Sequence, residues 1–242
     1  MLTPEQMRRA EQRIATYGHH RGRGGRLREA LIIAGEIPAI PLPQILLATS
    51  NQAKVARICF LLEGVVECFT PKDLRIQEID VEEGTDIAEN ARRKALAYSR
   101  ATGFPVLGMD TGFVIEGEDL DSACIRRNAL VGRDESTMTA EEIAFTMVGY
   151  YGAIALRHGG TVPAYSDDAF AVVYPDGHIR EARGQRPVTL TAVPDSPLNI
   201  RMPLRSMYIV GPTGKRPSQQ TEDDERIELA VNRAMLEEIL GL

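Results

Sequence analysis

The stretch Ile45-Leu46-Leu47-Ala48-Thr49-Ser50-Asn51-Gln52-Ala53-Lys54 constrains the fold more than any other part of the chain. Its four leading apolar residues read as a short buried strand, small polar residues break the run, and Ala53 to Ile58 begins a helical pattern. A strand that passes through a tight polar turn into a helix gathers free backbone N–H groups and the positive end of the helix dipole at one point. Asn51 and Lys54 add an amide and an ammonium there, so the turn is a candidate phosphate site. Taken alone it reads first as an ordinary strand–turn–helix with a polar turn, and other parts of the chain must decide.

With 242 residues the chain can form one large domain, or a domain with an extension. Its net charge of −6 speaks against a general nucleic-acid binder, while leaving room for a local cationic site. Lysine is rare, at positions 54, 72, 94 and 215 only, against 24 arginines, so each lysine invites scrutiny. Cysteines 59, 68 and 124 form no CxxC pair and no metal-ligand spacing, which suits a reducing compartment without a disulfide framework. No apolar run reaches membrane-spanning length and the N-terminus does not read as a signal peptide, so the expected location is cytoplasmic.

Residues 1–43 read as a basic helical extension: a Thr3-capped helix to about Tyr17, a Gly- and Arg-rich linker, and a second short helix. The segment carries seven arginines against four glutamates. From residue 44 to 242 the pattern is that of a mixed α/β domain. A helix is expected over Lys54 to Leu62, a strand at Glu67–Phe69, and a loop or edge segment from Asp73 to Gly84. The clearest helix begins at Thr85 as N-cap and runs to Ala97, with an apolar face at 87, 88, 91, 95 and 98. The strand from Phe104 is expected to end in an acidic turn at Asp110. A helix capped by Thr139, a hairpin turning at Pro175-Asp176-Gly177, a separate strand from Arg186 to Val193, and one C-terminal helix from Thr221 to Leu240 complete the pattern.

Three elements can converge where open α/β sheets bind ligands, at strand C-terminal ends. They are the Asn51/Lys54 turn, the Glu82-Glu83 segment feeding the helix with Asn90 and Lys94, and Asp110. Carboxylates beside paired ammonium groups describe a magnesium–polyphosphate site: hard oxygens for the ion, lysines for the remaining phosphate charge.

These residues resemble the inosine triphosphate pyrophosphatases, which remove damaged purine nucleoside triphosphates. The resemblance lies in Thr49-Ser50-Asn51-Gln52-Ala53-Lys54, in Glu82-Glu83-Gly84-Thr85 through Glu89-Asn90-Ala91-Arg92-Arg93-Lys94-Ala95, and in Met109-Asp110-Thr111-Gly112, in family order over about residues 44–115. It implies an elongated mixed β-sheet with flanking helices and a central cleft, a homodimer, and Mg²⁺-dependent cleavage of a nucleoside triphosphate to monophosphate and pyrophosphate. It further implies that Ser50, Asn51, Lys54, Asn90 and Lys94 hold the substrate. Thr111 and Gly112 line the nucleotide, Glu82 and Asp110 bind the metal, and Asp110 otherwise activates the attacking water.

Three departures stand out. Met109 replaces the first acid of a family pair, and Met202 to Tyr208 occupies the place of an aromatic-Gly-aromatic-Asp-Pro segment. Val231-Asn232-Arg233 replaces the Ser-His-Arg that helps grip the purine, so only Arg233 matches there. The expectation is a divergent nucleoside triphosphate pyrophosphohydrolase with altered base preference. The alternative is a catalytically weakened nucleotide- or partner-binding protein on the same fold.

Overall fold

The computed structural model describes residues 42–242, so the extension read at 1–43 lies outside the described residues except for its last two positions. Six strands form one sheet in the order β2-β1-β3-β4-β5-β6. These are β1 (Gln44–Leu47), β2 (Glu67–Phe69), β3 (Val106–Ile115), β4 (Thr161–Val173), β5 (Ile179–Thr191) and β6 (Tyr208–Val210). β1 pairs parallel with both β2 and β3, and the pairs from β3 to β6 are antiparallel. The expected mixed α/β sheet with flanking helices is therefore the fold.

Helix α1 (Gln52–Leu61) follows β1 and α2 (Ile87–Thr102) precedes β3. The short α3 (Ile125–Ala129) and the long α4 (Ala140–Arg157) lie between β3 and β4; α5 (Glu222–Glu228) and α6 (Ala230–Leu240) close the chain. Local chemistry explains most boundaries. Asn51 caps α1 by accepting from the backbone N–H of Ala53 and Lys54. Thr139 and Glu142 cap α4 reciprocally, and Gly103 ends α2 in the left-handed conformation.

Several boundaries differ from the sequence reading. The cap of α2 is Asp86, whose side chain accepts from Ala88 N–H, so the helix starts one residue later than a Thr85 cap implies. β3 does not end at Asp110: it continues to Ile115, because β4 pairs with it through the whole stretch. Arg186 to Val193 is no separate strand, since residues 179–191 form one long β5. The C-terminal helix breaks at Leu229 into α5 and α6. The two strand differences share a cause: long-range pairing extended elements that local sequence would have stopped.

The sheet's alternation places the site. Leu107 and Met109 face the same side as Phe170 and Val172, packed against Ile58 and Leu61 of α1 and Leu236 of α6. On the other side Ala169 and Ala171 meet Ile87 and Ala91 of α2. A further core, built on Phe113, Ile115, Val162 and Val188, packs against Met147 and Ile154 of α4. The long strands β3, β4 and β5 contribute to more than one of these cores, and the site lies along β3 between them.

Candidate active site

β1 is short, and that brevity opens the site. Its last register partner on β3 is Leu107, after which the edge of β3 at Met109 and Asp110 is uncovered. Lys54, in the first turn of α1, reaches over the end of β1 into this gap. Its Nζ lies 3.1 Å from Asp110 Oδ1 and 3.5 Å from the Met109 carbonyl. From the other side α2 brings Lys94, whose Nζ is also 3.1 Å from Asp110 Oδ1.

That approach depends on Gly108, two residues before Asp110 on the same face. A Cβ at Gly108 would lie 2.0 Å from the Ala91 carbonyl oxygen, so only glycine lets α2 sit this close to β3. Ala91 and Ala95, both fully buried, supply the small surface on the helix.

Asn90 completes the arrangement. Its Nδ2 donates to Asp110 Oδ2 (3.0 Å) and to the Gly84 carbonyl (3.0 Å), while its Oδ1 accepts from Gly84 N–H (2.8 Å). One buried amide thus fastens the loop before α2 to the carboxylate on β3. That loop delivers Glu83, 2.5 Å from Lys94 Nζ. Across the cleft, Ser50 Oγ donates to Glu78. The cleft itself holds about 440 Å³ and is lined by the turn at 48–51, Lys54, Lys94, Glu78, Glu83 and Tyr98, among others.

Burial pushes the Asp110 carboxyl upward, but the ammonium groups of Lys54 and Lys94 and the Asn90 amide outweigh it and hold its pKa below the usual carboxylate value. Burial pulls the Lys54 ammonium below the ordinary lysine pKa; Asp110 opposes that shift and Lys94 adds to it. Two ammonium groups meet at one carboxylate oxygen, while Glu78, Asp80 and Glu83 also line the cleft, so lysines and acids share its wall.

The structure brings Lys54, Asn90, Lys94 and Asp110 into direct contact and sets Ser50 and Asn51 on the cleft wall. Other contacts and placements differ from the sequence reading. Asn51 spends its carbonyl oxygen on the α1 cap. Glu82 is exposed, and the neighbouring Glu83 is the carboxylate at Lys94. Thr111 points to the opposite face, donating to Asp168 Oδ1 at 2.8 Å. Gly112 sits against Ser122, and Arg233 on α6 donates to the Leu61 carbonyl (2.7 Å) and to Glu237. Met109 is buried in the apolar core on the α1 side, so its replacement of an acid leaves the lysine-bearing face of β3 unaltered.

Sequence reasoning missed a second polar cluster on that opposite face. Asp168, fully buried, accepts from Arg186 Nε (2.7 Å), Asn232 Nδ2 (3.0 Å) and Thr111, with Arg57 at 3.8 Å. Glu228, also buried, accepts from Arg186 (2.9 Å) and from both terminal nitrogens of Arg205. The one available signal was Asp167-Asp168 inside an otherwise apolar strand.

An α/β sheet with paired lysines, a buried acid and an amide at a strand edge defines the class: a protein with a polar, charge-lined cleft at the edge of its sheet. Comparison with known proteins narrows it. The Ham1 family profile matches residues 45–121. The dITP/XTP pyrophosphatase of Agrobacterium fabrum is 31% identical over 146 residues, which cover 58% of this chain and 65% of that protein, just under two thirds of its length. The dITP/XTP pyrophosphatase of Mesorhizobium japonicum is 31% identical over 157 residues, covering 62% of this chain and 68% of that one. Among solved structures, a HAM1 protein from Coxiella burnetii superposes with a TM-score of 0.61 at 17% identity, covering 81% of this chain and all (100%) of that one. A nucleoside-triphosphatase / dITP/XTP pyrophosphatase from Mycobacterium abscessus gives 0.56 at 19% identity, covering 82% and 98%. The chain belongs to the Ham1 family, which bears out the resemblance read from its motifs.

Proposed function

We propose that this protein is a divalent-cation-dependent nucleoside triphosphate pyrophosphohydrolase, converting NTP and water to NMP and pyrophosphate. The observation that carries the reading is the convergence of Lys54, Lys94 and Asn90 on Asp110 at the open edge of β3. An arriving triphosphate competes with Asp110 for the two ammonium groups. The lysines turn to the phosphate oxygens, and the carboxylate is freed toward the cleft. Ser50 and Asn51, at the positive end of α1, add a hydroxyl and an amide for the same anion.

The donor set suits Mg²⁺. Asp110 and Glu83 both meet Lys94 Nζ, giving two hard carboxylates on one side of the cleft, and this ion takes one or two carboxylates with water and phosphate oxygens. Glu82, exposed beside Glu83, is the sequence-based candidate for the same duty. When bound, the ion supplies charge neutralisation at the anhydride being cleaved. Lys54, Lys94 and Asn90 hold the Asp110 carboxyl below the ordinary aspartate pKa against burial, which favours the carboxylate form, so we assign it to the ion and to orienting water.

Base preference is where the chain is expected to differ from its relatives. Asn232 is committed to Asp168, Arg233 to the Leu61 carbonyl, and Arg205, from the divergent segment, to Glu228. Groups so engaged are not free to read a purine edge, which supports altered specificity. The proposal includes a cytoplasmic homodimer. Among the described residues no helix is long and apolar enough to cross a membrane. The exposed Val131 and Phe145 beside a hollow at α4 offer an apolar contact for a second copy, a point that sedimentation would settle.

The deciding experiment is a panel of dITP, XTP and the standard triphosphates assayed with Mg²⁺ for pyrophosphate. Release from at least one is expected; none from any of them leaves the weakened nucleotide-binding alternative.

A further inference from the structure

The segment that leads from β2 into α2 has no ladder of its own. From Gln77 to Thr85 only two backbone N–H groups find an acceptor among the described residues, and α2 supplies both acceptors. Ile79 N–H donates to the Tyr98 hydroxyl at 2.9 Å, and Gly84 N–H donates to Asn90 Oδ1 at 2.8 Å. Asn90, Lys94 and Tyr98 stand four residues apart on α2, so they form one stripe along the helix. Lys94, in the middle of the stripe, meets Glu83.

The two anchors bracket Asp80, Val81, Glu82 and Glu83, three acids in four residues. Asp80 and Glu83 line the cleft, and so does Tyr98. Tyr98 is itself fixed: its ring is 3% exposed, in the core against which Ile76 and Ile79 pack. Its hydroxyl therefore gives the segment an acceptor whose place is set by helix and core. Asp80, Glu82, Glu83 and Gly84 are exposed, so burial does little to hold the acids where they stand.

We propose that Tyr98 is a positioning residue for the divalent cation: by holding Ile79 it keeps the 80–83 segment laid along the cleft with its carboxylates presented to the ion. The inference rests on the divalent cation of the pyrophosphohydrolase reading. Its physical basis is conformational entropy. A segment fixed at both ends has little freedom left to lose when an ion binds, whereas one fixed only at Gly84 must be ordered by the ion itself. Because Tyr98 acts on the acids and not on the phosphate chain, its effect belongs to ion affinity and not to the chemical step.

Tyr98→Phe deletes the hydroxyl and keeps the ring in its core, and three measurements on the full-length protein read the result. Binding of Mn²⁺, the spectroscopic stand-in for Mg²⁺, should weaken about fivefold, the loss expected for one hydrogen bond. Amide exchange over residues 77–84 should quicken while the thermal midpoint and exchange over α2 stay at the wild-type level. The Mg²⁺ concentration for half-maximal pyrophosphate release should rise by the same factor, with kcat at saturating ion within about twofold. A ring that merely filled the core would move none of these in the phenylalanine variant. Unaltered Mn²⁺ affinity or unaltered segment exchange in Tyr98→Phe overturns the proposal and leaves the pyrophosphohydrolase reading standing; so does a kcat that collapses at saturating ion. A wild type that binds no Mn²⁺ overturns it as well. If the Mn²⁺ shift is found but no triphosphate yields pyrophosphate, the positioning role holds and the catalytic reading fails.

Discussion

Asp110 on β3 and Asp168 on β4 face opposite sides of one sheet, and each is held by two cations and an asparagine. The cations differ. Asp110 meets two lysines at the edge of an open cleft; Asp168 meets two arginines inside the protein, where both it and Arg186 are essentially sealed from water. Lysine is a mobile point charge that can leave one anion for another, whereas the guanidinium is a fixed fork that holds a carboxylate in place. The same local chemistry thus serves exchange on one face and cohesion on the other. Thr111 joins the two, sitting next to Asp110 in sequence and directly opposite Asp168 in the register.

The largest expected effect tests cohesion. Asp168→Asn leaves Arg186 and Arg57 without their shared counter-charge, and should cost about 3–5 kcal/mol of stability, or about 10 °C in Tm. Burial raises the Asp168 carboxyl, but Arg186 and Arg57 overcome it and depress the folded-state pKa. Its contribution is therefore present above the ordinary aspartate pKa and is lost as pH falls through the depressed value. The variant should consequently lose part of the wild type's acid-unfolding limb. Turnover per folded molecule should stay within about twofold by kcat. A folded Asp168→Asn protein with collapsed kcat would erase the contrast between the faces.

Asp110→Asn is the mirror experiment. It preserves shape and removes the charge at the cleft, so kcat should fall about 100-fold or more while the thermal midpoint moves little. Unchanged kcat would remove Asp110 from the chemistry.

The lysines sharpen the comparison by affinity. Lys54→Ala and Lys94→Ala should each weaken binding of inorganic triphosphate about tenfold by calorimetry. In the wild type the Lys54 pKa is lowered, first by burial, so affinity should decline with rising pH before an ordinary lysine would deprotonate. Lys54→Arg should flatten that alkaline limb. Gly108→Ala, which forces α2 off β3, should imitate Lys94→Ala without touching a charge.

The smallest effect separates two adjacent acids. Glu83→Gln should raise the Mg²⁺ concentration needed for half-maximal rate severalfold, on the order of 1 kcal/mol, and Glu82→Gln should do less. The reverse order would assign the ion to Glu82.

Much of the candidate site was legible in the chain itself. Strand, polar turn and capped helix at residues 45–58 are local features, as are the Asn90 and Lys94 spacing on one helix face and the rarity of lysine. The fold class followed from the alternation of such segments. What failed was reach. Asp110 looked like the end of a strand because Thr111 and Gly112 read as a turn, yet β4 pairs with β3 well past it. Arg186 and Val188 looked like the start of a new strand, yet they continue β5.

Sequence by itself determined most of the elements, the caps at Thr139 and Thr221 and the identity of the cationic groups, because these depend on neighbours three or four residues apart. Only the tertiary structure decided which face each side chain took. Register with a distant strand turned Asp110 toward the lysines, sent Thr111 and Met109 to the other side, and enclosed Asp168 among arginines drawn from three separate parts of the chain, Arg57, Arg186 and, through Glu228, Arg205. A side chain's face in a sheet alternates with every residue, so it is fixed by pairing across the fold and not by the local pattern.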